Sequence, residues 1–561
     1  MFVFKFIGVS LSDSELHDQT LLELDDTLQL NGRSLSDFPT MPCPTTLVRL
    51  PRQNKLLMAE MNYNIETLSQ ELEQLLPNLT SEQRTIYDTI IEAVIQSNWG
   101  MYFIYGYGGT GKTYLWKTIS TSLRAKRHIV LTVASSGIAS LLLPNGKTAH
   151  SQFAILLTIT EDYMCNIKQG THLAELLVHT SLIIWDEAPM ANKLCFEALD
   201  RSLRDIMKNF DSHAYAKPFG GKVVVLGGDF RQILPVVPRG GREDIVFSSI
   251  NASFLWKECK IFKLTQNLRL SRSANANDDV ECISEFGKWI LSIGDGTFPT
   301  VDDTDDLILI PEEFLLLPNN DHKDCIIHAT YPDLHQHLND KEYFSERVIL
   351  SATLSVVDEV NNRMLELLPG EETVYLSADN VSKQDANISC FDDMHSVEFL
   401  NKISMSGLPN HILKLKVGAP VMLMRNIDKS MGLCNGTRLI VTKLEQRVIV
   451  CEMLTGQHSS SPVIIPRMTI TPSDTNYPFK LCRRQFPLVL SFAMTINKSQ
   501  GQSLLNVGLF LPRPVFTHGQ LYVAVSRVKR KDGLKILILD DDGNPTNKTS
   551  NVVYKEVFYN L

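Results

Sequence analysis

The sequence predicts an α/β protein with two parallel-sheet lobes, and three observations carry that expectation. Short β-rich apolar runs, "MYFIYG", "HIVLTVA", "SLIIWDE" and "KVVVLGGD", alternate with helical segments from Leu79 onward, the pattern of a parallel sheet covered by helices on both faces. A second series, "RVILSAT", "RLIVTKL", "RVIVCEML", "PLVLSFAM", "VGLFLP", "LYVAVS" and "LKILIL", supplies a second sheet-bearing lobe. Between about 405 and 480 the turns are dense and the strands short, which suits a small β insertion better than more α/β sheet.

The totals agree. The chain has 561 residues, 44% apolar and 21% charged, a globular composition with length for several domains. Its 54 basic and 63 acidic residues give a net charge of −9, which argues against nucleic acid coating the whole surface and leaves room for a local basic groove. Ten cysteines occur without a CxxC pair, so neither a zinc ribbon nor a disulfide framework is expected, and a reducing compartment is. The opening "MFVFKFIGVSLS" lacks a clear small-residue cleavage site and is not read as a secretory signal. No stretch approaches the roughly 20 apolar residues of a membrane helix. A soluble, intracellular protein without membrane contact is expected.

Residues 1 to 77 carry a proline-rich stretch, "DFPTMPCPTTLVRLP", and a polar helical one, "NIETLSQELEQLL", with Leu68, Leu72 and Leu75 at helical spacing; they read as an appendage. "VDDTDD" at 301–306 reads as a solvated loop, since no element fixes its carboxylates. Thr80 and Gln83 have the spacing of a helix capping box.

"GYGGTGKT" satisfies the phosphate-loop pattern at Gly106, Gly111, Lys112 and Thr113, with Gly108, Gly109 and Thr110 between, after a strand and before the helical "YLWKTISTSL". With glycine near 7% the bare pattern arises by accident in about one chain of this length in fifty, and the strand and helix around it make the accident rarer. Glycines let successive N–H groups face phosphate oxygens, the helix N-terminus adds its dipole, Lys112 reaches the β and γ phosphates, and the Thr113 hydroxyl can bind Mg²⁺. "SLIIWDEAPM" supplies Asp186 to help hold Mg²⁺ and Glu187 to orient or deprotonate an attacking water. "KVVVLGGDFRQILPVV" places Gln232 near a third strand end, where its amide could sense a γ-phosphate.

Further motifs follow in order: "LTSEQ", "ASSGIAS", "TAHSQF", "PFGGKVVVLGGDFRQILPVV", "LTQNLRL", "VGAPVMLMRNID" with "GLCNGTRLIV", "FAMTINKSQGQS" and "YVAVSRVK". Together with the phosphate loop and "DEAPM", this series resembles the petite-integration-frequency (Pif) family of superfamily-one DNA helicases, most closely its plant and Helitron-transposon branch, from Leu79 to about Leu539. The resemblance implies two RecA-like lobes with ATP and Mg²⁺ between them, a small wedge insertion near 150–178 and an SH3-like β insertion at 405–480. The first lobe would run over 78–257 and the second over 258–404 and 481–561.

The resemblance further implies an ATP-dependent monomeric motor moving 5′ to 3′ on single-stranded DNA and unwinding tailed duplexes, in repair, recombination or telomere maintenance. Gln83 would recognise adenine, Gln232 would couple the γ-phosphate to DNA, Arg269 and Arg527 would be arginine fingers, and Gly501 would lie near the nucleotide. Ser135, Ser136, Thr148 and His150 would contact the strand from the first lobe, and Ser499 and Gln500 from the second. Hydroxyls and amides suit phosphate and sugar contacts.

The acidic net charge is compatible with strand binding where Lys498, Arg483, Arg484, Lys529, Arg530 and Lys531 line one groove. Asn497 stands where the family usually has histidine. A Helitron nuclease would need a His-hydrophobic-His pair, whereas His335 and His337 flank polar Gln336; strand cleavage is not expected. The alternatives are a transposon-derived copy that binds DNA or nucleotide without unwinding, and a helicase-like scaffold. The nucleus is the expected compartment, the mitochondrion the second.

Overall fold

The four runs that begin the α/β pattern become strands of one sheet in the computed structural model. It describes residues 54–268, 277–301, 306–317, 321–338, 340–381, 396–405, 407–428, 431–455, 461–472, 477, 479–528, 530–559 and 561, with scattered positions between 17 and 42. The chain divides into two compact units, 1–59 and 60–561, and the described sheets all lie in the second.

The second unit opens with α1 (Ile65–Leu75), capped by the Asn64 side chain accepting from Thr67 N at 3.1 Å. Next comes α2 (Ser81–Ile95), which starts in a reciprocal capping box: Thr80 Oγ1 accepts from Gln83 N and Gln83 Oε1 from Thr80 N. There follow β1 (Gly100–Gly106), α3 (Lys112–Ala125), β2 (Ile129–Ala134), α4 (Gly137–Leu141), β3 (Lys147–Thr148), α5 (His172–His179), β4 (Thr180–Asp186), α6 (Lys193–Met207), β5 (Val223–Gly228) and β6 (Cys259–Leu264). The strands form one sheet, ordered β3-β2-β4-β5-β1-β6, parallel throughout. Every residue of β2 and β5 is buried, which is why both read as unbroken apolar runs rather than alternating ones. Ile86, Ile90 and Val94 of α2 and Leu115, Ile119 and Leu123 of α3 pack with Ile104, Val130, Ile184 and Val225 in one cluster. Each such side chain contributes about 1.5–3 kcal/mol of burial before ordering entropy.

Beyond residue 268 come α7 (Asn277–Asp295), β7 (Arg347–Ser351), α8 (Leu354–Leu367), β8 (Pro420–Leu423), β9 (Arg438–Leu444), β10 (Val448–Met453), β11 (Pro462–Pro466), β12 (Leu488–Leu490), β13 (Ala493–Thr495), β14 (Asn506–Leu511), α9 (Gln520–Val525), β15 (Leu534–Leu539) and β16 (Pro545–Thr546). A second sheet, β13-β7-β14-β15-β16, is parallel except at its last pair. The α/β fold with two parallel-strand lobes is therefore present as the sequence predicts, although "LYVAVS", read as a strand, forms α9, and "RLIVTKL" and "RVIVCEML" join an antiparallel sheet. Between β7 and β13 the chain builds an antiparallel sheet, β11-β10-β9-β8-β12, around Leu423, Leu439, Val441, Ile449, Ile465 and Phe486. Alternate residues of β10 are buried, as an antiparallel sheet with one covered face requires.

One expectation about charge changes. Arg483 does not line a groove. It is fully buried, forks onto Asp379 with Nη2–Oδ2 at 2.7 Å, and donates to the carbonyls of Leu400, Ile403 and Pro409. A guanidinium with five donors is desolvated at tolerable cost only when nearly all are satisfied, and this loop of carbonyls does so. Lys531 faces Glu313 at 3.3 Å, and Lys529 lies outside the described residues. His337 stacks on Tyr343 and pairs with Asp340 at 3.2 Å.

Arg483→Ala strands the Asp379 carboxylate, at a local cost of about 3–5 kcal/mol. Hydrogen exchange should show amide protection over 378–381 and 481–485 falling by about a hundredfold or more while β1, β4 and β5 keep theirs.

Candidate nucleotide cleft and strand path

At the end of β1 the chain must turn sharply and begin a helix within six residues. Gly109 (φ 103°) and Gly111 (φ 80°) make the turn in left-handed backbone, which costs a side-chain-bearing residue about 1 kcal/mol or more. A side chain at Gly111 would also strike the Gln83 amide and Leu268. The loop therefore delivers its backbone and the positive end of α3 to one point, a ready site for phosphate.

The loop is braced from behind. Gln83, wholly buried, donates Nε2 to Thr110 O at 3.1 Å and Gly111 O at 3.4 Å, while its Oε1 closes the capping box. Thr110 Oγ1 donates to Tyr107 O at 2.9 Å, and Leu268 N to Gly109 O at 3.0 Å. Lys112 Nζ donates to Gly106 O and, at 3.4 Å, to Tyr107 O, neutral acceptors from which phosphate oxygens would draw it.

The acidic pair stands two strands away, at the end of β4. Asp186 is buried, and its Oδ1 has no hydrogen-bond partner of good geometry. Glu187 sits in left-handed backbone at φ 51°, a strained conformation costing of order 1–3 kcal/mol for a non-glycine residue. Burial raises both carboxyl pKa values, Asp186 raises that of Glu187 further, and Lys112 and Arg527 pull Glu187 back down. The Asp186 carboxylate and the Thr113 hydroxyl line one cleft, an oxygen-donor pair that fits a divalent cation.

Gln232 follows β5, next to β1 in the sheet. From the second lobe Gln500 Nε2 meets Gln232 Oε1 at 3.5 Å. Arg527, two residues past α9, donates Nε to Val523 O at 2.9 Å and Nη1 to Gln502 O at 3.2 Å. A cleft of about 350 Å³ gathers Gly108, Gly109, Gly111, Lys112, Thr113, Asp186, Glu187 and Gln232 with Gly501 and Arg527. Gly106, Thr110 and Gln83 support it from beneath. Arg269 lies outside the described residues, although its neighbour Leu268 lines the cleft. Tyr107, Tyr114, Gln502 and Ser526 also line it; Tyr107 occupies a variable position of the loop pattern, and no sequence signal distinguishes the others.

The proposed strand contacts fall in two groups. β2 pairs with β3 in a register that sets Ala134 opposite Thr148, so Ser135 and Ser136 come beside Thr148 and His150. Ser135 Oγ accepts from Trp185 Nε1 at 3.0 Å and its N–H donates to Asp186 O at 3.2 Å, which joins this edge directly to the acidic strand. Ser136 caps α4 through Ala139 N at 3.2 Å. Burial lowers the His150 pKa, keeping the ring neutral. Ser499 and Gln500 face inward. Ser499 is fully buried and donates to Ile496 O at 2.7 Å, and Gln500 is turned to Gln232.

A phosphate loop at the end of a central parallel strand, an acidic pair two strands along and an arginine just past α9 of the second lobe make a P-loop nucleotide site between two RecA-like lobes. Family models sharpen this: "PIF1-like helicase" matches residues 78–304 and "DNA helicase Pif1, 2B domain" matches 398–444. Over these two stretches the chain is similar to the PIF1-like helicase family. It is 28% identical to the ATP-dependent DNA helicase PIF1 of Xenopus laevis, over 82% of this chain and 62% of that one, and 25% identical to the ATP-dependent DNA helicase RRM3 of Saccharomyces cerevisiae, over 92% and 73%. The chain thus spans about six tenths of the length of the frog relative. Among solved structures it is similar to a Pif1 helicase studied unwinding forked double-stranded DNA, at 26% identity, TM-score 0.56, covering 82% of this chain and 91% of that one. The fold is also that of Pif1 helicase from Bacteroides in complex with ADP-AlF3 and single-stranded DNA, at 23% identity and TM-score 0.55, covering 83% and 94%.

Because Gln83 braces both its own helix and the phosphate loop, Gln83→Ala should lower stability by about 1 kcal/mol. It should also weaken ADP binding by about tenfold, read by titration calorimetry on the full chain.

Proposed function

We propose that this protein is an ATP-dependent DNA helicase that moves 5′ to 3′ along single-stranded DNA and unwinds tailed duplexes. The observation that carries the reading is the convergence of Arg527 and Gln500 from one lobe on Lys112, Asp186, Glu187 and Gln232 of the other. Such a cleft closes when a γ-phosphate bridges it and reopens when that phosphate leaves.

In this reading Lys112 neutralises the β and γ phosphates over the backbone of Gly106, Gly108, Gly109, Thr110 and Gly111. Thr113 and Asp186 hold Mg²⁺, which withdraws charge from the phosphate oxygens when bound. Glu187 accepts the proton of the attacking water, and Gln232 reads the γ-phosphate. Arg527, with Arg269, stabilises charge in the transition state, a contribution worth about 10³–10⁵ in rate in enzymes of this kind. Gly501 flanks the phosphates from the second lobe. Gln83 acts by bracing the loop; an adenine contact would require its amide to give up one of the bonds it makes.

Ser135, Ser136, Thr148 and His150 form the first-lobe strand contacts. Ser499 and Gln500 would meet the strand through their backbone, since the Ser499 hydroxyl is bonded within its own lobe and the Gln500 amide is turned to Gln232 of the other. The link Ser135–Trp185–Asp186 then gives a strand a direct mechanical route to the cation site. The domain limits given above, with 1–77 as an appendage, a wedge near 150–178 and the β insertion at 405–480, remain part of this proposal, as does a monomeric motor. Its DNA would be nuclear, or mitochondrial as the second compartment.

Lys112→Ala should abolish ATP hydrolysis stimulated by single-stranded DNA, leaving strand binding within a few-fold of the original. On partial duplexes, unwinding should need a 5′ single-stranded tail; unwinding from the 3′ tail alone would reverse the proposed direction.

A further inference from the structure

A line of buried polar groups outside the cleft lining runs between the two lobes. It begins where the chain enters α9. His518 lies fully buried, its Nε2 donating to Phe230 O at 2.7 Å and its Nδ1 accepting from Tyr554 N at 2.8 Å, an arrangement open only to the neutral ring. One turn further, Tyr522 donates its hydroxyl to Asp229 Oδ2 at 2.6 Å. The other Asp229 oxygen accepts from Arg231 N at 3.1 Å, and Arg231 Nε reaches Asp295 Oδ1, at the end of α7, at 2.7 Å. Asp295, Arg231, Asp229 and Tyr522 therefore link second lobe to first and back again.

The backbone is fitted around this line. A side chain at Gly519 would place its first carbon 2.3 Å from Arg231 O, and one at Gly294 would stand 2.6 Å from the Tyr522 ring. The start of α9 thus rests directly on the loop Asp229–Gln232. Gln232 is one residue beyond Arg231, and Arg527 is five residues beyond Tyr522, just past the end of α9.

We propose that Tyr522 and Asp229 form an interlobe pivot, a pair of positioning residues that holds the first turn of α9 on the Gln232 loop while the cleft opens and closes. A hinge-like cleft needs one place where its lobes stay in register, and a directional hydrogen bond between buried groups supplies it better than apolar packing, which tolerates sliding. Set so close to the cleft, the pivot fixes where Arg527 arrives relative to Gln232. The inference rests on the functional reading given above, since it assigns Arg527 and Gln232 their roles.

Tyr522→Phe keeps the ring and removes the donor. In the full chain it should lower kcat of strand-stimulated ATP hydrolysis by about tenfold or more while KM for ATP stays within about twofold. Asp229→Asn should behave alike, and the double variant should be no worse than either single change, as expected for residues acting as one unit. Asp295→Asn, at the partly exposed end of the line, should give a smaller fall of about two- to fivefold without endangering the fold. An unchanged kcat in Tyr522→Phe, or losses in kcat and ATP affinity that add in the double variant, overturns the pivot. Energy transfer between dyes on Ser212 and Asp541 tests it without hydrolysis: ADP-aluminium fluoride should give one narrow interlobe distance in the original chain and a broadened one in Tyr522→Phe. Identical distributions overturn the pivot. An original chain that closes by this readout but shows no strand-stimulated hydrolysis overturns the helicase reading and leaves the pivot standing on the dye distances.

Discussion

Phosphate can be cradled by backbone only where consecutive N–H groups are left free by the chain's own hydrogen bonding, and that constraint fixes the layout of this molecule. It demands a strand that stops, a turn in left-handed backbone and a helix that starts at once, here Gly106, Gly109, Gly111 and Lys112. The strand must be central, so that others can carry their ends to the same edge, and β1 lies between β5 and β6 with β4 beyond. The acidic pair and Gln232 then come within reach without any contact near in sequence. A loop held only by its own turns would be loose, and the buried Gln83 amide bonded to Thr110 and Gly111 supplies the missing restraint.

How much of this was legible in the sequence follows from the range of the interactions involved. Strand runs, the phosphate loop and the Thr80–Gln83 capping box are local patterns, and the structure builds them where their spacing says except at "LYVAVS", whose apolar run forms α9 instead of a strand. The same Gln83 also reaches across 27 positions to the phosphate loop, and nothing in its neighbourhood announces that. Arg483 shows the converse error. Beside Arg484 it reads as a basic surface, yet its position in an alternating strand turns it inward to a carboxylate 104 residues away. The Tyr522–Asp229 bond spans 293 residues; a tyrosine in an apolar helix looks like core until its hydroxyl's partner is seen. Ser499 and Gln500 likewise carried the right motif, but the motif could not say which way their side chains turn.

The division of chemistry between lobes explains why inward-facing polar groups are tolerated in so many places. Each buried donor or acceptor left unmatched would cost about 1–3 kcal/mol, so a mobile interface cannot be lined with them unless they stay paired through the motion. Gln232 with Gln500, Tyr522 with Asp229 and Arg231 with Asp295 are paired across the lobes, while Arg527 is parked on backbone carbonyls of its own lobe. The first group resists separation. Arg527 can exchange neutral carbonyls for a phosphate, which rewards it with charge.

That asymmetry sets a direction for the coupling between strand and nucleotide. Ser135 is bonded to Trp185 and to the backbone of Asp186, so in the proposed motor a force on the strand edge would be felt first at Asp186 rather than at Arg527. The second lobe is connected differently: the chain leaving Ser499 and Gln500 passes Gly501 in the cleft, and Arg527 donates back to Gln502. A strand bound along both lobes would therefore address the two sides of the cleft through separate levers, one moving Asp186 and Glu187, the other Arg527. Only when both were set would the cleft present its full complement of charge, and hydrolysis that waited on both levers would be tied to the strand's position.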